Sequence, residues 1–123
     1  MGIVLLNKED LVAKLGDATP VAEPLGDLIA ATRVSRVYGE PGKTSSGIWE
    51  CSPGRWRRQL VQAEFCHFFE GELTFEPDEG EPIHIKAGDA VIFPANSTGI
   101  WDIKQTARKF YVLFNPAEDA EKA

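Results

Sequence analysis

Glu64, Cys66 and His67 stand close together in the stretch "EFCHFFEG". They offer a carboxylate, a thiol and an imidazole. A little upstream, "GRWRRQL" supplies Arg58 near Trp56. A positioned carboxylate or imidazole moves protons, and a thiolate attacks carbon or binds metal. Whether these groups can act together depends on the backbone that carries them. The surrounding runs are short, rich in aromatic and β-branched residues, and bounded by Gly, Pro and Asp, which predicts strands. A strand sends successive side chains to opposite faces. Glu64, Cys66 and Phe68 therefore share one face, and Phe65, His67 and Phe69 share the other. A Cys66–His67 nucleophilic dyad is excluded on that geometry, because the base must reach the thiol. His67 is expected to pack at an interface or in a core. His84 alternates with Ile83 and Ile85 and is expected to face solvent.

The same rule places Trp56, Arg58 and Leu60 together, with Arg55, Arg57 and Gln59 opposite. If the tryptophan faces inward, so does Arg58. A guanidinium inside a domain is costly unless paired, and Glu64 is the nearest candidate partner. Glu64 is thus the candidate catalytic residue, as a general acid or base on a small ligand. The alternative is that it only neutralises Arg58. Cys66 beside an arginine would have its thiolate favoured; its alternative is a small buried apolar residue. Trp49 and Trp101 supply flat apolar walls with one N–H each, or else fill the core. Gly47, Ser97 and Gly99 leave room near them. The expected ligand-binding set is Trp49, Arg58, Glu64, Cys66 and Trp101. It suits a small acid or amide, with Arg58 on a carboxylate and the tryptophans on a planar or apolar part.

These side chains must be positioned by a small all-β domain. Residues 1–30 read as an N-terminal arm: "NKEDLVAKLG" predicts a helical turn or two from an Asn7 cap to a Gly16 stop, and "DATPVAEPLGD" predicts an extended segment. Residues 31–116 carry about eight strands with turn signals between them, the pattern of a sandwich or barrel. Residues 117–123 form a polar tail. Both faces of "EFCHFF" are too apolar for a strand wetted on one side. One face is expected to line a core, and the other to be covered by the arm or by a second subunit. A homodimer is expected.

The net charge of −6 over 123 residues argues against nucleic acid and against anionic membranes. Two cysteines are too few for a disulfide framework. The opening "MGIVLLNKED" lacks the basic region and cleavage site of a leader, and no apolar run approaches membrane-spanning length. A cytoplasmic location is expected. Two histidines and two cysteines at these spacings match no zinc pattern.

"EFCHFFEGELTF" followed by "IKAGDAVIFPANSTGIW" resembles the cupin superfamily. More narrowly, "GIWECSPGRWRR", "EFCHFFEG" and "GIWDI" are similar to the small single-domain cupins related to the cupin domain of (S)-ureidoglycine aminohydrolase, over residues 45–114. The resemblance implies a jelly-roll barrel. Metal-binding cupins carry His-x-His, then Glu four residues later, and a last His after Pro-x-Gly. On this chain the glutamate falls on Glu64, the paired histidines on Arg58 and Leu60, and the last on Gly99. Pro-x-Gly becomes Pro94-Ala95-Asn96, and Asn tolerates the left-handed turn that Gly would take. A lone carboxylate holds a divalent ion weakly. Arg58 also places a charge there that pH does not relieve. No metal and no cofactor are expected.

The leading expectation is a metal-free cupin that binds a small molecule, with or without catalysis. A metal-dependent hydrolase of a ureido or amino compound is the second, and would need further ligands such as Glu50 or Cys66 beside Glu64. The third is a non-catalytic dimeric module whose barrel is filled by Trp49, Trp56 and Phe68. A sugar-nucleotide epimerase is disfavoured for want of an inward-facing histidine base.

Overall fold

The computed structural model describes residues 2–116. The expected polar tail, 117–123, lies outside the described residues. Helix α1 (Lys8–Ala13) begins at Asn7, whose Oδ1 accepts the Asp10 backbone N–H at 3.0 Å. Glu9 and Asp10 put negative charge in its first turn, where the helix dipole favours it. Its apolar side seats Leu11 on Ile48, Phe69 and Phe110, together with Leu15 just beyond the helix. Arg33 donates to the carbonyls of Leu15 at 3.2 Å and Gly16 at 2.9 Å, so the chain leaving the helix is tied to the barrel.

The arm stays with its own barrel. Strand β1 (Thr19–Pro20) pairs with β3 (Ala31–Gly39), and β2 (Pro24–Leu25) pairs with β5 (Gly54–Leu60). All pairing is antiparallel. One sheet runs β3, β4 (Ser45–Cys51), the second half of β9 (Ser97–Phe114), the first half of β6 (Ala63–Pro77) and β8 (Ala90–Phe93). The other runs β2, β5, the first half of β9, the second half of β6 and β7 (Ile83–Lys86). The segments "GIWDIK" and "RKFYVLF" lie in one strand of 18 residues.

Strands β6 and β9 belong to both sheets because their mutual register shifts three times between Phe68 and Leu73. Bulges of this kind bend a strand and increase its twist. Gly71 sits in the bend at φ 102°, and a Cβ there would meet Ala107 Cα at 2.6 Å. The result is a curled, nearly all-β jelly-roll barrel. Phe68, Leu73, Phe75, Ile85, Phe93, Trp101 and Ile103 are buried between its layers. Asn96 takes φ 63°, the left-handed conformation expected of it.

Candidate ligand-binding site

β5 and β6 bring their inward residues together as strand parity requires. Arg58 Nη2 donates to Glu64 Oε1 at 2.9 Å. The other Glu64 oxygen lies 2.8 Å from Lys109 Nζ, which arrives on β9. Arg58, Glu64 and Lys109 are 7%, 3% and 4% exposed, so none can rely on water for its charge. Aromatic faces supply the rest. The Arg58 guanidinium lies 4.2 Å from the Phe93 ring centre, and Lys109 Nζ lies 4.3 Å from that of Trp49. Trp101 stands within 6 Å of both cations. Burial draws the Arg58 guanidinium down from its ordinary value, and Glu64 opposes that. It stays cationic at neutral pH. Two cations share one carboxylate, and the cluster carries a formal charge of about +1.

The cluster opens on a cavity of about 510 Å³. Trp49, Trp56, Trp101, Tyr111 and Leu113 give it an apolar wall, and Arg58, Glu64 and Lys109 give it polar groups. Arg36 on β3 and Glu23 on the arm also line it. Among the described residues two buried donors of wall residues lack a hydrogen-bond partner of good geometry, Arg58 Nη1 and Trp56 Nε1, and the second lies beside the Cys51 thiol. A buried donor left unmatched costs about 1–3 kcal/mol. This space is therefore short of acceptors. Burial pushes the Tyr111 hydroxyl above its ordinary value.

Of the expected ligand-binding set, Trp49, Arg58, Glu64 and Trp101 line this cavity, while Cys66 does not. Cys66 is fully buried in the core cluster and is not among the cavity-lining residues. Burial pushes its thiol up to about 11, despite the nearby cations. Of the two readings of Cys66, the small buried residue fits this setting and the favoured thiolate does not, and burial likewise pushes the Cys51 thiol up to about 12. His67 is exposed on this chain and not part of its core, because α1 covers the outer face of β6 only as far as Phe69. His84 is exposed as expected and lies 3.1 Å from Thr74 Oγ1. Sequence reasoning missed Lys109 and Tyr111. The alternation Lys109, Tyr111, Leu113 against Phe110, Val112, Phe114 could have revealed them, since both faces are otherwise apolar.

The donors present do not fit a cupin metal. Of the four ligand positions only Glu64 carries a donor, and two cations already occupy its oxygens. At Gly99 a Cβ would lie 2.6 Å from Phe75 Cζ and 2.5 Å from the Glu76 carbonyl oxygen, so no side chain fits there. Glu50 is on the other face of β4, engaged by Arg33 and Arg108. Among the described residues no three His, Cys, Asp or Glu side chains are grouped to share an ion.

A profile of the EutQ-like cupin domain matches residues 38–111. No curated protein sequence matches the chain. Solved structures do. The Clostridium difficile EutQ protein is 18% identical with a TM-score of 0.61, over 70% of this chain and 69% of that one. A putative ethanolamine utilization protein Q from Salmonella typhimurium is also 18% identical with a TM-score of 0.61, over 80% and 98%. A DUF861-family protein from Thermotoga maritima is 30% identical with a TM-score of 0.53, over 55% and 76%. The domain match spans most of the barrel, including the strands that carry Arg58, Glu64 and Lys109, and the chain belongs to the EutQ-like cupin family.

Proposed function

We propose that this cupin binds a small organic anion inside its barrel without the help of a metal. The observation that carries this reading is the pairing of two buried cations with one carboxylate on the wall of a cavity. A ligand carboxylate would balance the excess charge and accept from Arg58 Nη1. The three tryptophans would cover a planar or apolar remainder. The third expectation, a barrel filled by Trp49, Trp56 and Phe68, is disfavoured by the volume left open beside Trp49 and Trp56.

The likeness to ureidoglycine-type cupins enters here as part of the proposal. A ureido or amide group is planar and suits the tryptophan walls, but a metal-dependent hydrolysis finds no ligand set. Glu64 would orient the ligand or exchange a proton with it. Two copies are proposed to pair through the exposed outer face of β6 and β8. A cytoplasmic location is also proposed, in keeping with two unpaired buried cysteines.

Thermal unfolding in the presence of a panel of small carboxylates and ureides tests the reading. A true ligand at a hundred times its Kd stabilises by about 2.7 kcal/mol. Arg58→Met is expected to weaken binding about ten- to a hundredfold, the value of a hydrogen bond to a charged group. A panel in which no member shifts the wild-type midpoint would sink it.

A further inference from the structure

Lys109 is the one buried lysine among the described residues, and Lys8, Lys14, Lys43, Lys86 and Lys104 are exposed. Folding alone does not call for it. A methionine would fill the space beside Trp49, Phe68 and Trp101 without needing an anion. The amine is screened from bulk water by those rings and lies 2.8 Å from a carboxylate able to take its proton. It also lines the cavity. A desolvated lysine amine with an adjacent base is the nucleophile that forms imines with carbonyl compounds.

Its neighbour narrows the carbonyl compound. Arg58 and Lys109 contact the two oxygens of the same carboxylate, so guanidinium and amine stand one carboxylate apart. A ligand held by both would have its own carboxylate and its electrophilic carbon on adjacent atoms. That is the structure of a 2-oxo acid. The aromatic walls and the volume favour one with an aryl or branched side chain over pyruvate itself.

Resting on the anion-binding reading, we propose that Lys109 forms a Schiff base with a 2-oxo acid whose carboxylate is held by Arg58. The ammonium first passes a proton to Glu64. The free amine attacks the carbonyl carbon, and the carbonyl oxygen takes the proton back from Glu64 to give a carbinolamine. The nitrogen loses a second proton, which leaves with that hydroxyl as water. A protonated imine remains. Atoms balance: the ammonium gives up two hydrogens, the ligand gives up its carbonyl oxygen, and nothing is oxidised or reduced.

The test is reductive trapping on the full chain. Sodium borohydride is added in the presence of phenylpyruvate, pyruvate or 3-phenyllactate, which lacks the carbonyl, and the adduct is mapped by peptide mass spectrometry. The expected result is a secondary amine on Lys109 with phenylpyruvate, less with pyruvate, and none with phenyllactate. Lys109→Arg, which keeps a charge beside Glu64 but has no amine able to form an imine, should lose the adduct. Trapping confined to exposed lysines, or equal in urea-unfolded protein, overturns the inference. Binding of phenylpyruvate and phenyllactate with equal affinity and no adduct at Lys109 overturns it while leaving the anion site intact. If calorimetry detects binding of none of the three and no adduct forms, the inference falls and the anion site loses support.

Discussion

Glu64 holds one negative charge between two cations that have lost nearly all their water. Its removal and the removal of a cation should therefore differ in cost. Glu64→Gln leaves Arg58 and Lys109 buried together with no counter-charge, and breaking a buried pair in this way costs about 3–5 kcal/mol. Arg58→Met leaves a one-to-one pair of Glu64 with Lys109 and keeps apolar bulk against Phe93, so it should cost clearly less. Urea unfolding of the two variants checks the order, and equal or reversed losses would show that the carboxylate does not carry the cluster. Arg58 and Glu64 were readable because parity along two short strands fixes which side chains share a face. Lys109 was not. Alternation along β9 could place it inward, but its meeting with Glu64 depends on the long-range pairing of β9 with β6. A lone lysine in a strand also reads by default as a solvated one.

At the scale of elements, the covering of β6 shows how the arm contributes. Both faces of "EFCHFF" are apolar, and the structure divides the outer one. Helix α1 takes the Phe69 end, where Phe69 and Phe110 rings stand 5.1 Å apart under Leu11 and Leu15. The Phe65 end stays open. Lysine 8 completes the seat with its ammonium over Phe69. A helix of six residues has no stability of its own in water. Its place therefore rests on those two leucines and on Arg33. Leu11→Ala is expected to cost about 2–4 kcal/mol. The combined Leu11→Ala, Leu15→Ala variant should release the helix, with faster amide exchange over residues 8–15 and little change in β5 or β9. Unchanged exchange in the double variant would mean that something else holds the arm. Asn7 marked the start of this helix from sequence because an N-cap is local chemistry, whereas the helix ends at Ala13 with Lys14 as its cap, short of the expected Gly16 stop. The pairing of β1 and β2 with opposite sheets was not legible, since two-residue strands containing proline leave almost no pattern.

For the molecule as a whole, the fold class followed from many short strands between turn signals. The sharing of β6 and β9 between two sheets did not, because a bulge is a property of pairing and not of one segment. The same topology leaves a row of side chains on the outside of one sheet. Ile92, Phe65 and Val112 are direct cross-strand neighbours, and Ile92 and Phe65 are 71% and 44% exposed. Across the same sheet the row continues through Ser46 to Tyr38. A sheet face patterned this way has its hydrogen bonds satisfied and lacks only an apolar cover. A second copy would supply one of matching shape, because a two-fold axis would set the same row against itself. A stable pair needs roughly 800 Å² from each partner. Phe65→Asp would place a charge and its symmetry mate in the middle of that contact. Sedimentation equilibrium should then find a wild-type dimer at micromolar concentration and a folded Phe65→Asp monomer. A wild-type monomer under those conditions would leave Phe65 and Ile92 to some other partner.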